Sequence, residues 1–168
     1  MTHEQQQPPS APHPTSPLAR ARLTVWHTAP PGQPGSLAAD LVRRLLDDHT
    51  QPGQVVIDLD DDPTILGVAA AIGRVHHMAP QPADISRQAG EADLVLVRWP
   101  RPAVNPQHLL QTARELLRDA GHLAIAVQVQ PRQRTAHLSA LTGAARTAGF
   151  QPVRHIVAIA PTDEDCAR

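Results

Sequence analysis

The chain reads as an α/β domain with a doubly wound, mostly parallel sheet and helices on both faces. Three observations predict this. Short β-branched runs alternate with helical stretches through residues 21–161. The runs "VVIDL" and "ADLVLV" are apolar but for one aspartate each, as strands covered on both faces nearly are. A helical stretch separates most consecutive strands, and parallel pairing requires such crossovers.

Each element has a local reason. "RLTVWHT" is a short strand, followed by the loop "PPGQPG". "SLAADLVRRLLDDH" is an amphipathic helix, with Ser36 as its expected N-cap and Leu37, Leu41, Leu45 and Leu46 on one face. The turn "QPGQ" leads into the strand "VVIDL". "PTILGVAAAIGR" is a small-residue helix that tolerates Pro63 in its first turn. "RVHHM" and "ADLVLVRW" are the next strands. Asn105 caps a helix with Pro106 at its first position, and Gly121 is expected to end it. "HLAIAVQV" is another strand. Thr135 is expected to cap "AHLSALTGAARTA", with Gly149 as its stop, before the last strand, "PVRHIVAIA".

Composition narrows the function classes. The 15 basic and 16 acidic residues leave a net charge of −1, which points neither to nucleic acid nor to an acidic partner. All the basic residues are arginine, a pattern expected from GC-rich coding, so single arginines are discounted as binding signals. One cysteine, Cys166, excludes an intrachain disulfide and a cysteine-rich metal site. No apolar run approaches the roughly 20 residues of a membrane span. No secretory signal pattern is present, so a cytoplasmic protein is expected. Residues 1–20 are Pro/Gln/Ser-rich and expected to be disordered, and 162–168 form a polar tail. No nucleophile elbow, dinucleotide fingerprint or phosphate loop is found.

The order of pieces resembles the Rossmann-like class I S-adenosylmethionine-dependent methyltransferases, nearest to the amino-group DNA methyltransferases. The likeness covers residues 22–160. It rests on Gln51-Pro52-Gly53-Gln54, on Val56-Ile57-Asp58-Leu59-Asp60-Asp61-Asp62-Pro63-Thr64, and on "DLVLV" followed by Arg98-Trp99-Pro100-Arg101. The resemblance implies a cofactor cleft beyond Asp58, with Asp60 beside it and Asp84 in a loop on the adenine side.

The departures shape the functional expectation. Where the family has glycines that bare the backbone to the cofactor, this chain has Asp60, Asp61 and Asp62. Their charge opposes the cofactor's carboxylate; two like charges about 4 Å apart repel by about 1 kcal/mol even in water. An acidic N-cap cluster is the plain reading of the three, and a metal site the sharper alternative. At the end of the second strand of the motif, His76 and His77 replace the acidic residue that holds the ribose, and adjacent strand residues point to opposite faces. In the catalytic motif, Arg98 stands where an electron-pair donor to the target amine belongs, and a guanidinium only donates. Trp99 occupies the place of a proline and Arg101 that of the aromatic; Pro100 alone matches.

The expected function is therefore a degenerate, inactive methyltransferase-like module that binds a partner and needs no cofactor or metal. The alternatives are an active enzyme using S-adenosylmethionine, and a nucleic-acid-binding module. The last would use Arg98, Arg101, Arg132 and Arg134 as a basic rim and Trp99 as a stacking platform or sheet-end cover. An open sheet edge, if "RLTVWHT" stays unpaired, would favour a homodimer or protein partner; no membrane partner is expected.

Overall fold

The computed structural model describes residues 22–78 and 82–160, and of 82–84 the backbone only. The expected tails at 1–20 and 162–168, with Cys166, lie outside the described residues. The elements run β1 (Arg22–His27), α1 (Ala39–His49), β2 (Val55–Asp58), α2 (Pro63–Ala71), β3 (Val75–Met78) and α3 (Pro82–Arg87). They continue with β4 (Ala92–Trp99), α4 (Pro106–Leu116), β5 (Leu117–Val127), α5 (Pro131–Thr147) and β6 (Arg154–Ile159). The fold is Rossmann-like α/β. A four-stranded parallel sheet has the order β3-β2-β4-β5, and β1 pairs with β6 in a parallel two-stranded sheet.

β4 shows why both faces are covered. Leu94 and Leu96 point to one side and join Val56 with Val42, Leu45 and Leu46 of α1 and Ile65 and Ala69 of α2. Val95, Val97 and Trp99 point to the other and join Ile57 with Leu109, Ala113 and Leu116 of α4 and Leu141 of α5. The period of two in the strand thus feeds two cores from one segment. Burying such aliphatic side chains contributes about 1.5–3 kcal/mol each. From β2 the chain passes to β3 on one side, and from β4 to β5 on the other. The topological switch therefore lies between β2 and β4, where ligands of open α/β sheets bind beyond the carboxyl ends.

"RLTVWHT" does not stay unpaired: Arg22–His27 runs in register with Arg154–Ile159. Its inner face brings Trp26, with Ile156 of β6, against the core of α1 and α2. Its outer face leaves Leu23 67% and Val25 51% exposed, and Ile159, in register with His27, 44% exposed.

Several expected boundaries shift for tertiary reasons. Asn105 caps α4 as expected, accepting from Gln107 N at 2.8 Å, with Pro106 following. Gly149, at φ 84°, ends α5; its N–H reaches Arg146 O while Phe150 N reaches Ala145 O. Ser36 is not a cap: α1 starts after Ala38, which offers no side-chain bond. Thr135 lies within α5, which begins at Pro131 after Gln130. Gly121 does not end α4. The chain enters β5 directly at Leu117, and the β4–β5 register slips between Ala92 and Leu94. A Cβ at Gly121 would sit 2.8 Å from Ala92 O and 2.7 Å from Leu117 Cδ2, so this slip demands glycine. Gly121→Ala is expected to destabilise the domain by about 1–3 kcal/mol, read as a lower urea midpoint with an unchanged slope.

Candidate functional site

The loop leaving β2 builds the switch point from three carboxylates at alternate positions. Asp58 and Asp62 are each 1% exposed. Asp58 folds its carboxylate back onto the loop, accepting from Asp60 N at 2.8 Å and Asp62 N at 2.5 Å. Asp60 reaches across to β4, where it accepts from Arg98 N at 2.5 Å and from Arg101 Nη2 at 3.0 Å. Asp62 caps α2, accepting from Thr64 N at 2.9 Å, and takes Leu37 N at 2.9 Å with its other oxygen. Asp61, between them, is exposed and adopts φ 55°, a left-handed conformation that Asp tolerates better than most residues.

The amides of the α2 N-terminus are consequently taken. Pro63 has no N–H, Thr64 N goes to the Asp62 side chain, and Ile65 N and Leu66 N both reach Asp62 O. The orphan donors that make a helix start an anion site are satisfied from within the chain. This is the acidic N-cap arrangement that the sequence suggested. Among the described residues no cluster of three or more His, Cys, Asp or Glu is placed to hold a metal.

Arg98 and Arg101 complete the arrangement, and they do so as partners of the loop. Arg98 Nε lies 3.7 Å from Asp60 Oδ2 and its Nη1 3.9 Å from Asp62 Oδ2. Arg101 also donates to Leu59 O. Both arginines are about 70% covered, so part of each guanidinium still faces an open cleft of about 590 Å³. Gly35, Trp99, Pro100, Val104 and Gln128 share its lining. The peptide between Trp99 and Pro100 is cis. The rim expected from sequence is thus divided. Arg98 and Arg101 are engaged by carboxylates, while Arg132 and Arg134 are exposed in the first turn of α5.

Trp99 is 6% exposed and belongs to the α4 and α5 core, so its ring is not a free stacking platform; it covers the sheet end. Its Nε1 donates to Nδ1 of His137 at 3.0 Å, in an edge-on contact with centroids 6.3 Å apart. His137 then carries its proton on Nε2. Nothing in the sequence marked His137, because the contact joins positions 38 residues apart.

The two histidines of β3 diverge as adjacent strand residues do. His77 contacts Gln88 just past α3 at 3.4 Å. His76 turns to the other face, where its Nε2 stands 3.9 Å from Asp58 Oδ2, too far for a hydrogen bond. That nitrogen is buried without a hydrogen-bond partner. Asp84 belongs to α3 and not to a loop; its side chain lies outside the described residues.

No family model, no curated protein and no solved structure matches this chain. Two outcomes follow from the geometry. Asp62→Ala, which strands Thr64 N and Leu37 N, is expected to cost about 2–4 kcal/mol in chemical unfolding, and Asp62→Asn less, since its single oxygen can still serve one amide. His137→Ala leaves the indole N–H of Trp99 buried and unpaired, with an expected loss of about 1–3 kcal/mol in the same measurement and a shifted tryptophan emission.

Proposed function

We propose that this chain is a methyltransferase-like domain that has lost its chemistry and works by binding a protein partner. One observation carries the reading: the carboxylates of Asp58, Asp60 and Asp62 already accept the amides around the switch point, and Asp60 joins the loop to Arg98 of β4 and to Arg101 beyond it. S-adenosylmethionine brings its own carboxylate and ribose hydroxyls. Here the groups that would receive them are either anionic or already donating. The residues present do not fit that cofactor, and no catalytic step is assigned to them. Arg98, a fixed cation at the position that the resemblance assigns to an electron-pair donor, supports the same conclusion.

The binding face in this reading is the outer side of the β1–β6 pair, where Leu23, Val25 and Ile159 stand exposed with Val153 nearby at 63%. Contiguous exposed apolar side chains are a feature of interaction surfaces. A protein partner or a second copy of the chain would cover them. The reading includes a cytoplasmic location; no helix among the described residues is long and apolar enough to cross a membrane. Nucleic acid is the second reading, favoured only by Arg132 and Arg134, which are exposed at the carboxyl edge of the sheet.

Isothermal titration with S-adenosylmethionine is expected to give no binding up to millimolar concentration; low-micromolar affinity would overturn the proposal. For the second reading, binding to labelled DNA would have to weaken with salt and on joint replacement of Arg132 and Arg134 by alanine.

A further inference from the structure

We propose that His49 and His122 form a proton-sensitive clasp between α1 and β5, beside the Asp48–Arg154 ion pair that ties the β1–β6 pair to α1. The clasp is a property of the fold and holds whether or not the domain binds a partner.

The β1–β6 pair has no ladder hydrogen bonds to the four-stranded sheet. Its inner face is attached to α1 by side chains one helical turn apart. Arg44 lies 6.0 Å over the ring of Trp26, and Asp48 Oδ2 accepts from Arg154 Nη1 at 2.5 Å. Directly after Asp48, the ring of His49 packs on that of His122 in β5, with centroids 4.8 Å apart and planes tilted by 43°. The three elements α1, β5 and β6 therefore meet at these four residues.

The charged groups facing His49 cancel only while both rings are neutral. His49 faces Asp48 from its own helix, His122 from β5 and Arg154 from β6. Arg22 of β1 stands in register beside Arg154. Asp48 is already paired with Arg154 while both rings are neutral. A proton on either ring adds a cation that has no carboxylate of its own in this set, and two imidazolium ions in contact repel. Burial holds His49 below its ordinary value near 6.5, and His122 and Arg154 push the same way, against Asp48. A group whose pKa is lower in the folded state contributes stability that is present above its unfolded pKa. That contribution is lost as the pH falls through 6.5 toward the folded value. Because the β1–β6 pair is joined by side chains and connecting segments, the loss falls on it as local opening while the main ladder stays intact.

Hydrogen exchange of the full chain at pH 7.5 and 5.5, corrected for intrinsic chemistry, tests this. Peptides covering β1 and β6 are expected to lose about 3- to 10-fold protection on acidification while β2 and β4 hold. His49→Gln and His122→Gln are each expected to flatten that dependence. Equal protection of β6 at both pH values would overturn the proposal, as would a parallel loss in β2 and β4. An unchanged pH dependence in both variants would also overturn it, assigning the effect to His27 and His155 on the outer face. Should either variant fail to fold, ring-proton titration of the native chain decides: coupled titration of the two rings supports the clasp, and independent titration at ordinary values overturns it.

Discussion

The fold is organised around the carboxylates that follow β2. Through them one short loop reaches β4, the start of α2 and the segment that leads into α1. These are the elements that meet at the switch point of the sheet. A buried carboxylate is tolerated only with a full set of donors, and Asp58 and Asp62 each receive two backbone amides. The loop and its surroundings are consequently specified together: moving any one of them leaves a buried anion or a buried amide without a partner.

What the sequence disclosed and what it hid divide along the line between local and non-local physics. The layered α/β architecture follows from runs such as Leu94–Val97, whose apolar continuity is visible by inspection. The cap at Asn105 and the stop at Gly149 depend on neighbours within a few residues, and both were legible. Ser36 was misleading because the segment after it is tied through Leu37 N to Asp62, 25 residues away, and the helix begins only after Ala38. Thr135 lost its role to Pro131, whose fixed φ and missing N–H suit a first helical position and let the helix start a turn earlier. Gly121 was legible as a special backbone position, but local signals do not distinguish a helix stop from a close approach between strands. In the site, the aspartate row and the arginines were each visible. Their pairing was not, since Asp60 and Arg101 lie 41 residues apart and no local spacing joins them.

The domain also has an uneven distribution of cover. The central strands β2 and β4 are buried on both faces, whereas β5 is only partly covered along most of its length and the outer side of β1–β6 is exposed. α5, the longest helix, packs mainly on α4 and contributes one fully buried side chain, Leu141. The second layer of helices is therefore complete over one half of the molecule and thin over the other. Cohesion is concentrated at the switch point and declines toward the strands that carry the chain ends.

The interlocked aspartates have a consequence for sequence change in this bend. Converting Asp62 alone to glycine would strand two amides, and converting Asp60 alone would free the Arg98 amide and remove the carboxylate that pairs Arg101. The positions of this bend are therefore coupled: a substitution at one carboxylate changes which amides and guanidinium groups the others have left to satisfy.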